Sequence, residues 1–290
     1  MQTQVNSERS MDFQTPAPHT SHFIEVNGLK LHYLDYGTQG RAPMLCLHGG
    51  GAHAHWYDYV APAFSGDYHV HSLDLRGHGD SVWTDPPMYK YEHYASDIAQ
   101  AVEKLGLRDF ILVGHSMSGT VSLFYAAHYP GRVKALVVVD STVNLSAERI
   151  GSMRDVGTRS ARSYATQDEL VSRYRLRPSD SVVTPGILRH IALHSARQSA
   201  DGSWTHKFDR NVYATREMFD GMELWHQIKI PALLVKGGLS ERISPEVFAM
   251  VKARAPQAEF VEVSGAGHHV TLDNPAEFVQ KVRPFLLRNR

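Results

Sequence analysis

Short apolar runs recur along the chain, and longer stretches with helical periodicity separate them. The runs cover 44–47, 69–73, 110–113, 135–139, 232–235 and 260–263, and the helical stretches cover about 55–65, 91–105, 118–129, 245–254 and 275–288. Continuous apolar runs of this length are typical of parallel strands that are covered on both faces. Strands that alternate with helices predict βαβ units, and therefore an α/β fold with a mostly parallel central sheet flanked by helices.

The beginning of the chain has a different pattern. Residues 23–26 and 29–36 flank Asn27-Gly28, which predicts two strands joined by a tight turn. The polar residues 1–20 before this hairpin predict a flexible N-terminal arm. They lack the apolar core of about 7 to 15 residues that a secretory signal has, which favours a cytoplasmic location.

The segment 142–228 interrupts the alternation of strands and helices. It is rich in Arg, Ser and Asp and contains no run typical of a buried strand. A structureless loop of this length is not expected in a compact domain. The segment therefore predicts a helical cap inserted into a core formed by 21–141 and 229–290. Its aromatic residues are candidates for the interior of the cap and for a pocket wall: Tyr164, Tyr174, Trp204, Phe208, Tyr213, Phe219 and Trp225.

Charge and composition exclude several classes of protein. Lys and Arg together number 30, as do Asp and Glu, and this balance argues against nucleic acid or an anionic membrane as the main partner. No apolar stretch reaches the roughly 18 residues of a membrane span. The single cysteine, Cys46, excludes an internal disulfide, and its apolar neighbours predict a buried core residue rather than a nucleophile.

The strongest chemical signal is the sequence FILVGHSMSG at 110–119. An apolar strand runs into Gly-x-Ser, and a helix is predicted to begin near Met117, which is the pattern of a nucleophile elbow. The positive end of that helix favours the negative charge that develops during acyl transfer. The fifth position of the motif, normally glycine, is Ser118, a small residue followed by Gly119. We interpret Ser116 as a nucleophile, the alternative being a serine that only caps the helix.

A second motif, His48-Gly49-Gly50-Gly51, follows the run 44–47. Glycines at this place allow backbone N–H groups to point at a ligand, and the N–H groups of Gly50 and Met117 are predicted to form an oxyanion hole. The alternative is a flexible turn. Metal binding by His48, His53 and His55 is disfavoured, because no carboxylate or cysteine accompanies them in a known ligand spacing.

The base and the acid are predicted from the C-terminal part of the chain. His268 follows Gly265-Ala-Gly on a loop after the last strand, and we favour it as the base over its neighbour His269. Glu241, just past the run 232–235, is the favoured acid, because it lies between nucleophile and base in the chain order Ser, acid, His. Asp140, at the end of the preceding strand, is the alternative acid.

Taken together, the chain resembles the α/β-hydrolase superfamily over about 22–290. The resemblance rests on His48-Gly-Gly, on DLRGHGDS at 74–81, on GHSMSG at 114–119 and on Gly265-Ala-Gly-His268. It implies that Asp74 and Arg76 belong to a structural turn. The family acid after this strand is usually Asp, so Glu241 is a departure. Serine instead of aspartate at the elbow speaks against the epoxide hydrolases and haloalkane dehalogenases, which are otherwise similar.

The resulting prediction is a serine hydrolase of small carboxylic esters or lactones that needs no cofactor and no metal. Its expected partner is therefore a small-molecule substrate. Three alternatives use the same residues or the same pocket: a hydrolase of carbon–carbon bonds beside a ketone, a cofactor-free perhydrolase, and a receptor that binds a ligand without turnover.

Overall fold

An eight-stranded sheet runs through the centre of the computed structural model, which describes residues 12–141 and 146–290. Its strands are β1 (Thr20–Val26), β2 (Leu29–Asp35), β3 (Ala42–Leu47), β4 (Tyr68–Leu73), β5 (Phe110–His115), β6 (Val133–Val139), β9 (Ala232–Gly237) and β10 (Glu259–Val263). Their order across the sheet is β1-β2-β4-β3-β5-β6-β9-β10. The pairs β1–β2 and β2–β4 are antiparallel and the others are parallel. The predicted α/β fold is confirmed.

Helices follow the strands along the chain. They are α1 (Ala61–Phe64), α2 (Tyr91–Lys104), α3 (Met117–His128), α4 (Ala147–Thr158), α5 (Gln167–Arg173), α6 (Pro185–His194), α7 (Asn211–Ala214), α8 (Met222–Trp225), α9 (Pro245–Arg254), α10 (Val270–Asp273) and α11 (Pro275–Arg288). The single helix predicted over 55–65 is wrong. A 3-10 turn (Ala54–Tyr57) and the short α1 replace it. A continuous helix would need the N–H of residue 62 to donate to the carbonyl of residue 58, and Pro62 has no N–H.

The core lies on both faces of the sheet. Along β5 every residue is buried, and alternate side chains enter different apolar clusters: Leu112 packs with Ile98 of α2, while Ile111 packs with Phe278 of α11. This burial on both sides explains the continuous apolar run in the sequence. In the described part of the chain, no helix has both the length and the apolar character that a membrane span requires.

The parallel strands bring their carboxyl ends to one edge of the sheet. Leu47 pairs with Gly114, His115 pairs with Val139, and Val139 pairs with Val235, so that the loops after β3, β5, β6 and β9 leave the sheet side by side. Ligands of open α/β sheets bind outside this edge. The residues that the sequence predicts for the active site lie on these loops or beside them.

The segment predicted to be a cap contains α4 to α8 and a small antiparallel hairpin, β7 (Ala196–Gln198) and β8 (Trp204–His206), that was not predicted. Of the predicted N-terminal arm, residues 1–11 lie outside the described residues. The remainder is not a free arm: Ala17 is buried, and its N–H donates to the carbonyl of Asp58 over 2.8 Å.

Candidate active site

Ser116 occupies a sharp turn between β5 and α3. Its φ of 54° and ψ of −117° are a strained conformation for a residue with a side chain, and such strain concentrates at functional sites. Two glycines make the turn possible. A Cβ on Gly114 would lie 2.5 Å from the carbonyl oxygen of Ser118, and a Cβ on Gly119 would lie 2.4 Å from the Cβ of Ser141. The strand, the turn and the helix therefore place Ser116 as the elbow motif predicts.

Ser118 takes the place of the motif's last glycine without widening the turn. Its buried hydroxyl donates to the carbonyl of Leu47 over 2.6 Å and accepts the N–H of His115 over 2.9 Å. The hydroxyl thus links the end of β3 to the end of β5. The departure from glycine strengthens the elbow by connecting it to the neighbouring strand.

Ser116, His268 and Asp140 form a continuous chain of hydrogen bonds. Nε2 of His268 lies 2.9 Å from Oγ of Ser116, and Nδ1 lies 2.7 Å from Oδ2 of Asp140. A carboxylate only accepts hydrogen bonds, so Nδ1 carries the proton. The lone pair of Nε2 consequently faces the serine hydroxyl, which is the tautomer that a general base needs.

Burial is the largest influence on the pKa values of Asp140 and His268. Burial raises the pKa of Asp140 to about 6, although hydrogen bonds from the hydroxyl of Ser240 and the N–H of Gly237 oppose the rise. Burial, and after it the guanidinium of Arg149, lowers the pKa of His268 to about 3. Near pH 7 the imidazole is therefore neutral and the carboxylate is ionised.

The preference for Glu241 over Asp140 as the acid is wrong in the structure. Glu241 is exposed and lines a surface cleft beside Asp180 and Arg242, whereas the two ring nitrogens of His268 face Asp140 and Ser116. The residue before it, Ser240, points inward and donates to Oδ2 of Asp140 over 2.6 Å. The loop after β9 therefore supports the acid instead of supplying it.

The backbone explains why the carboxylate that contacts His268 comes from the end of β6. Asp140 has a φ of 42°, and its N–H donates to the carbonyl of Val235 over 2.8 Å, which fixes it at the end of the strand. A Cβ on Gly237 would lie 2.1 Å from the carbonyl oxygen of Gly267, so the loop carrying His268 packs directly on the end of β9. This close approach brings the imidazole over Asp140.

The glycine-rich loop after β3 lies against Ser116. A Cβ on Gly49 would lie 2.9 Å from Nδ1 of His115 and 3.1 Å from the Cβ of Ser116, so a side chain at this position would press on the elbow. His48 is buried and structural: its Nε2 accepts the N–H of Leu75 over 3.1 Å, and its Nδ1–H donates to the carbonyl of Gly49 over 2.7 Å. The second bond fixes the peptide group between Gly49 and Gly50, which carries the N–H of Gly50.

Met117 is the first residue of α3. The first N–H groups of a helix have no intrahelical acceptor, so its N–H is available to a ligand at the positive end of the helix. Gly50, on the loop after β3, and Met117, at the start of α3, are the two residues from which an oxyanion hole was predicted.

The described part of the predicted cap, residues 146–228, contacts the loops that surround Ser116. A Cβ on Gly50 would lie 3.0 Å from the hydroxyl of Tyr213, and the carboxylate of Asp180 accepts the N–H of His268 over 3.2 Å. His53, on the loop after β3, lies 3.1 Å from the carbonyl of Ile191 in α6. The half-buried Arg149 of α4 is close enough to lower the pKa of His268. Sequence reasoning listed Tyr213 only as one of seven aromatics and missed Arg149.

The other motifs are structural. Asp74 accepts the N–H of Ala54 over 2.6 Å, and Arg76 pairs with Asp97 through two hydrogen bonds of 2.6 Å. His269, the rejected rival of His268, is buried with its ring edge-on to Trp56. Cys46 is buried, and burial raises the pKa of its thiol, which opposes a role as nucleophile.

Comparison with known proteins gives the same fold. The model of a family described as the alpha/beta hydrolase family matches residues 44–281. An esterase of Mycobacterium tuberculosis is 29% identical over 260 residues, which cover 85% of this chain and 84% of the relative. A 2-(acetamidomethylene)succinate hydrolase of Mesorhizobium japonicum is 26% identical over 263 residues, which cover 87% of this chain and 91% of the relative.

Solved structures agree in fold. The crystal structure of an E-2-(acetamidomethylene)succinate hydrolase superposes with a TM-score of 0.83 at 22% identity, covering 93% of this chain and 99% of the other. The crystal structure of an esterase of Mycobacterium tuberculosis superposes with a TM-score of 0.71 at 24% identity, covering 94% and 92%.

Proposed function

The chain belongs to the alpha/beta hydrolase family, and on that premise we propose that it hydrolyses small carboxylic esters or lactones with Ser116 as nucleophile. One observation carries the proposal: His268 contacts Ser116 through one ring nitrogen and Asp140 through the other, over 2.9 and 2.7 Å. A base that faces a hydroxyl and is oriented by a carboxylate is how a serine becomes nucleophilic. Relatives named as an esterase and a hydrolase support the same class of reaction.

The first half of the proposed reaction forms an acyl-enzyme. Oγ of Ser116 attacks the carbonyl carbon while its proton passes to Nε2 of His268, and the π electrons of the carbonyl move to its oxygen. Asp140 stabilises the imidazolium that results. When the tetrahedral intermediate collapses, the bond to the leaving oxygen breaks, and His268 gives its proton to that oxygen.

The second half releases the acid product. Water enters, His268 takes one of its protons, and the hydroxide attacks the acyl carbon. Collapse of the second tetrahedral intermediate returns the proton to Ser116. Both intermediates carry a negative oxygen, for which we propose the N–H groups of Gly50 and Met117 as donors. No step requires a cofactor or a metal ion.

We assign substrate selection to the segment 142–228, acting as a cap over the elbow. Tyr213 supports this role because its hydroxyl lies against the glycine loop, where the acyl or alcohol group of a substrate would bind. Arg149 adds a positive charge near His268 and Asp140. The proposed pocket therefore has a polar and cationic wall on the cap side, which favours substrates with a polar or anionic group near the ester.

The proposal is tested with a substrate panel and a covalent label. Purified protein should hydrolyse short chromogenic esters or lactones, and a fluorophosphonate should add one equivalent to Ser116, as located by peptide mass spectrometry. Ser116→Ala should abolish both. Ser122→Ala is a matched control, because Ser122 is a buried serine in the same helix that should leave turnover and labelling intact.

Other outcomes point to the other functions of this site. Cleavage only of carbon–carbon bonds beside a ketone would identify a carbon–carbon bond hydrolase. Formation of a peracid from acetate and hydrogen peroxide would identify a perhydrolase. Stoichiometric ligand binding without turnover would identify a receptor. Labelling at another residue, or an active Ser116→Ala variant, would reject Ser116 as the nucleophile.

A further inference from the structure

Four side chains that bind metal ions well gather away from the elbow. They are His55, Asp58, His190 and His194, and each offers a ligand atom within 4.8 Å of the others. We call them the His3Asp cluster. His55 and Asp58 belong to the core, on the 3-10 turn after β3 and just beyond it, whereas His190 and His194 belong to α6 of the segment 142–228.

The helical pair has the spacing that metal sites use. His190 and His194 are four residues apart, so both rings project from the same face of α6, and the two histidines of zinc-binding helical motifs have this spacing. The end of α6 is fixed against the core by His53, whose Nε2 lies 3.1 Å from the carbonyl of Ile191 and 3.0 Å from the hydroxyl of Ser195. The helix therefore holds its histidines toward the turn that carries His55.

Asp58 is oriented for a shared ligand. Its side chain is fully buried, and its Oδ1 accepts the hydroxyl of Tyr36 over 2.7 Å. Its Oδ2 faces Nδ1 of His55 at 2.9 Å and Nε2 of His190 at 2.7 Å. Carboxylates that bind metal ions are commonly held in this way: one oxygen accepts a hydrogen bond from an outer residue, and the other faces the ion and its imidazole ligands.

The same contacts would also be made by an ion-free network in which two histidines donate to one carboxylate. The two cases differ in the role that they give to His194. Its ring stacks on His55 with centroids 3.5 Å apart and an angle of 21°, which adds a third imidazole that such a network does not use. Two stacked rings do not point their lone pairs at one ion, so binding requires the ring of His194 to turn, and its half-buried position leaves room for this.

We propose that the His3Asp cluster binds a divalent transition-metal ion, zinc foremost, and that the ion links α6 to the core. Three imidazoles and one carboxylate suit zinc, which prefers four nitrogen, sulfur or oxygen ligands in a tetrahedron. Four protein ligands close such a site, so its role is structural rather than catalytic. Metal binding was disfavoured from sequence because His190 and His194 are distant in the chain, and only the fold brings them to His55 and Asp58.

The test measures metal content and thermal stability of the full-length protein. After treatment with a chelator and its removal, zinc chloride is added, free ion is removed by desalting, and zinc is counted by atomic emission. We expect one equivalent per chain and a rise in the melting temperature on the order of 5 °C at saturation. Cobalt(II) in place of zinc should give the intense visible absorption of tetrahedral coordination.

Two variants and one control make the result specific. His194→Ala removes only the stacked ring, and His190→Asn keeps a hydrogen-bonding group beside Asp58, so both should fold while losing the zinc equivalent and the thermal shift. His69→Ala is the control, because His69 belongs to a second group with Asp35 and His71. Substoichiometric zinc in the wild type, retention by both cluster variants, or loss only in His69→Ala would overturn the proposal.

Discussion

Oδ2 of Asp140 and Nδ1 of His268 lie 2.7 Å apart although 128 residues separate them in the chain. The contact forms because β6 ends beside β9, and the loop after β10 folds back over both strand ends. The proposed acid thus lies just past the strand that follows the elbow helix. The loop after β9 contributes Ser240 and the N–H of Gly237, which hold the carboxylate in place.

Replacing the acid should slow turnover far more than replacing the exposed carboxylate. Asp140→Asn keeps the shape but favours the wrong tautomer of His268, and we expect a loss in kcat on the order of 10⁴-fold. Glu241→Gln should stay within a few-fold of the wild type, because Glu241 is exposed and lies outside the hydrogen-bond chain. Steady-state kinetics on one chromogenic ester checks both, and an equal loss in the two variants would contradict the assignment.

Activity should fall as the pH drops below about 6. Burial raises the pKa of Asp140 to about 6, so the carboxylate gains a proton below that pH and no longer holds the imidazole in its active tautomer. The pKa of His268 is lowered, so no loss is expected between pH 7 and 8. A profile of log kcat/KM, which reports the free enzyme, should bend near pH 6. A profile that stays flat down to pH 4.5 would be inconsistent with this charge assignment.

Most of the fold was predictable because each element has its own local signal. Helices α2, α3, α9 and α11 lie within a residue or two of the predicted stretches. Helices α2 and α11 each bury one apolar face, and α9 and α11 begin at a proline. The prediction of one helix over 55–65 was wrong because the apolar periodicity continues across Pro62, where the backbone cannot continue as one helix. The hairpin β7–β8 has strands of three residues, too short to show alternation.

Within the site, residues on local motifs were predictable and the acid was not. Ser116 and His268 each lie beside glycines that only a tight turn explains. Asp140 and Glu241 are both carboxylates at or after a strand end, so the sequence gives them equivalent positions. Their difference arises from packing across the sheet: the loop of His268 covers the end of β9 at Gly237 and turns Ser240, not Glu241, inward.

Ser118→Ala should destabilise the protein. The change takes the hydroxyl away from the N–H of His115 and from the carbonyl of Leu47, and only the carbonyl keeps another side-chain donor, the hydroxyl of Tyr57. Loss of the partner of the buried N–H costs on the order of 1–3 kcal/mol in the free energy of unfolding. Ser122→Ala, one turn later, is the control: among the described residues the buried hydroxyl of Ser122 has no hydrogen-bond partner, so its removal should be close to neutral. Urea denaturation of both variants measures the two free energies of unfolding. Equal values would show that the hydrogen bonds of Ser118 between β3 and the elbow contribute little to stability.

Arg149→Met should lower the preference for anionic substrates. The guanidinium lies near the base and the acid, so it attracts a carboxylate on the substrate and repels the imidazolium that forms during acylation. With methionine, kcat/KM for a hemisuccinate ester should fall relative to the matching neutral ester, and the loss should shrink at high salt because screening weakens the attraction. An unchanged ratio of the two substrates would place Arg149 outside the pocket.

Finally, Tyr213→Ala should change which acyl chain the enzyme prefers. The hydroxyl of Tyr213 lies against Gly50, so truncation enlarges the space beside the proposed oxyanion hole and should favour longer acyl groups. One methylene in an apolar pocket is worth about 1–3 kcal/mol, so kcat/KM ratios between acetyl and hexanoyl esters should shift by roughly 10- to 200-fold. Phe219→Ala is the matched control, since Phe219 packs on Tyr91 with ring centroids 4.3 Å apart, in the apolar cluster that contains α2 and α3. It should reduce stability while leaving the chain-length profile unchanged. A profile that is flat in Tyr213→Ala, or altered as much in Phe219→Ala, would remove the segment 142–228 from substrate selection.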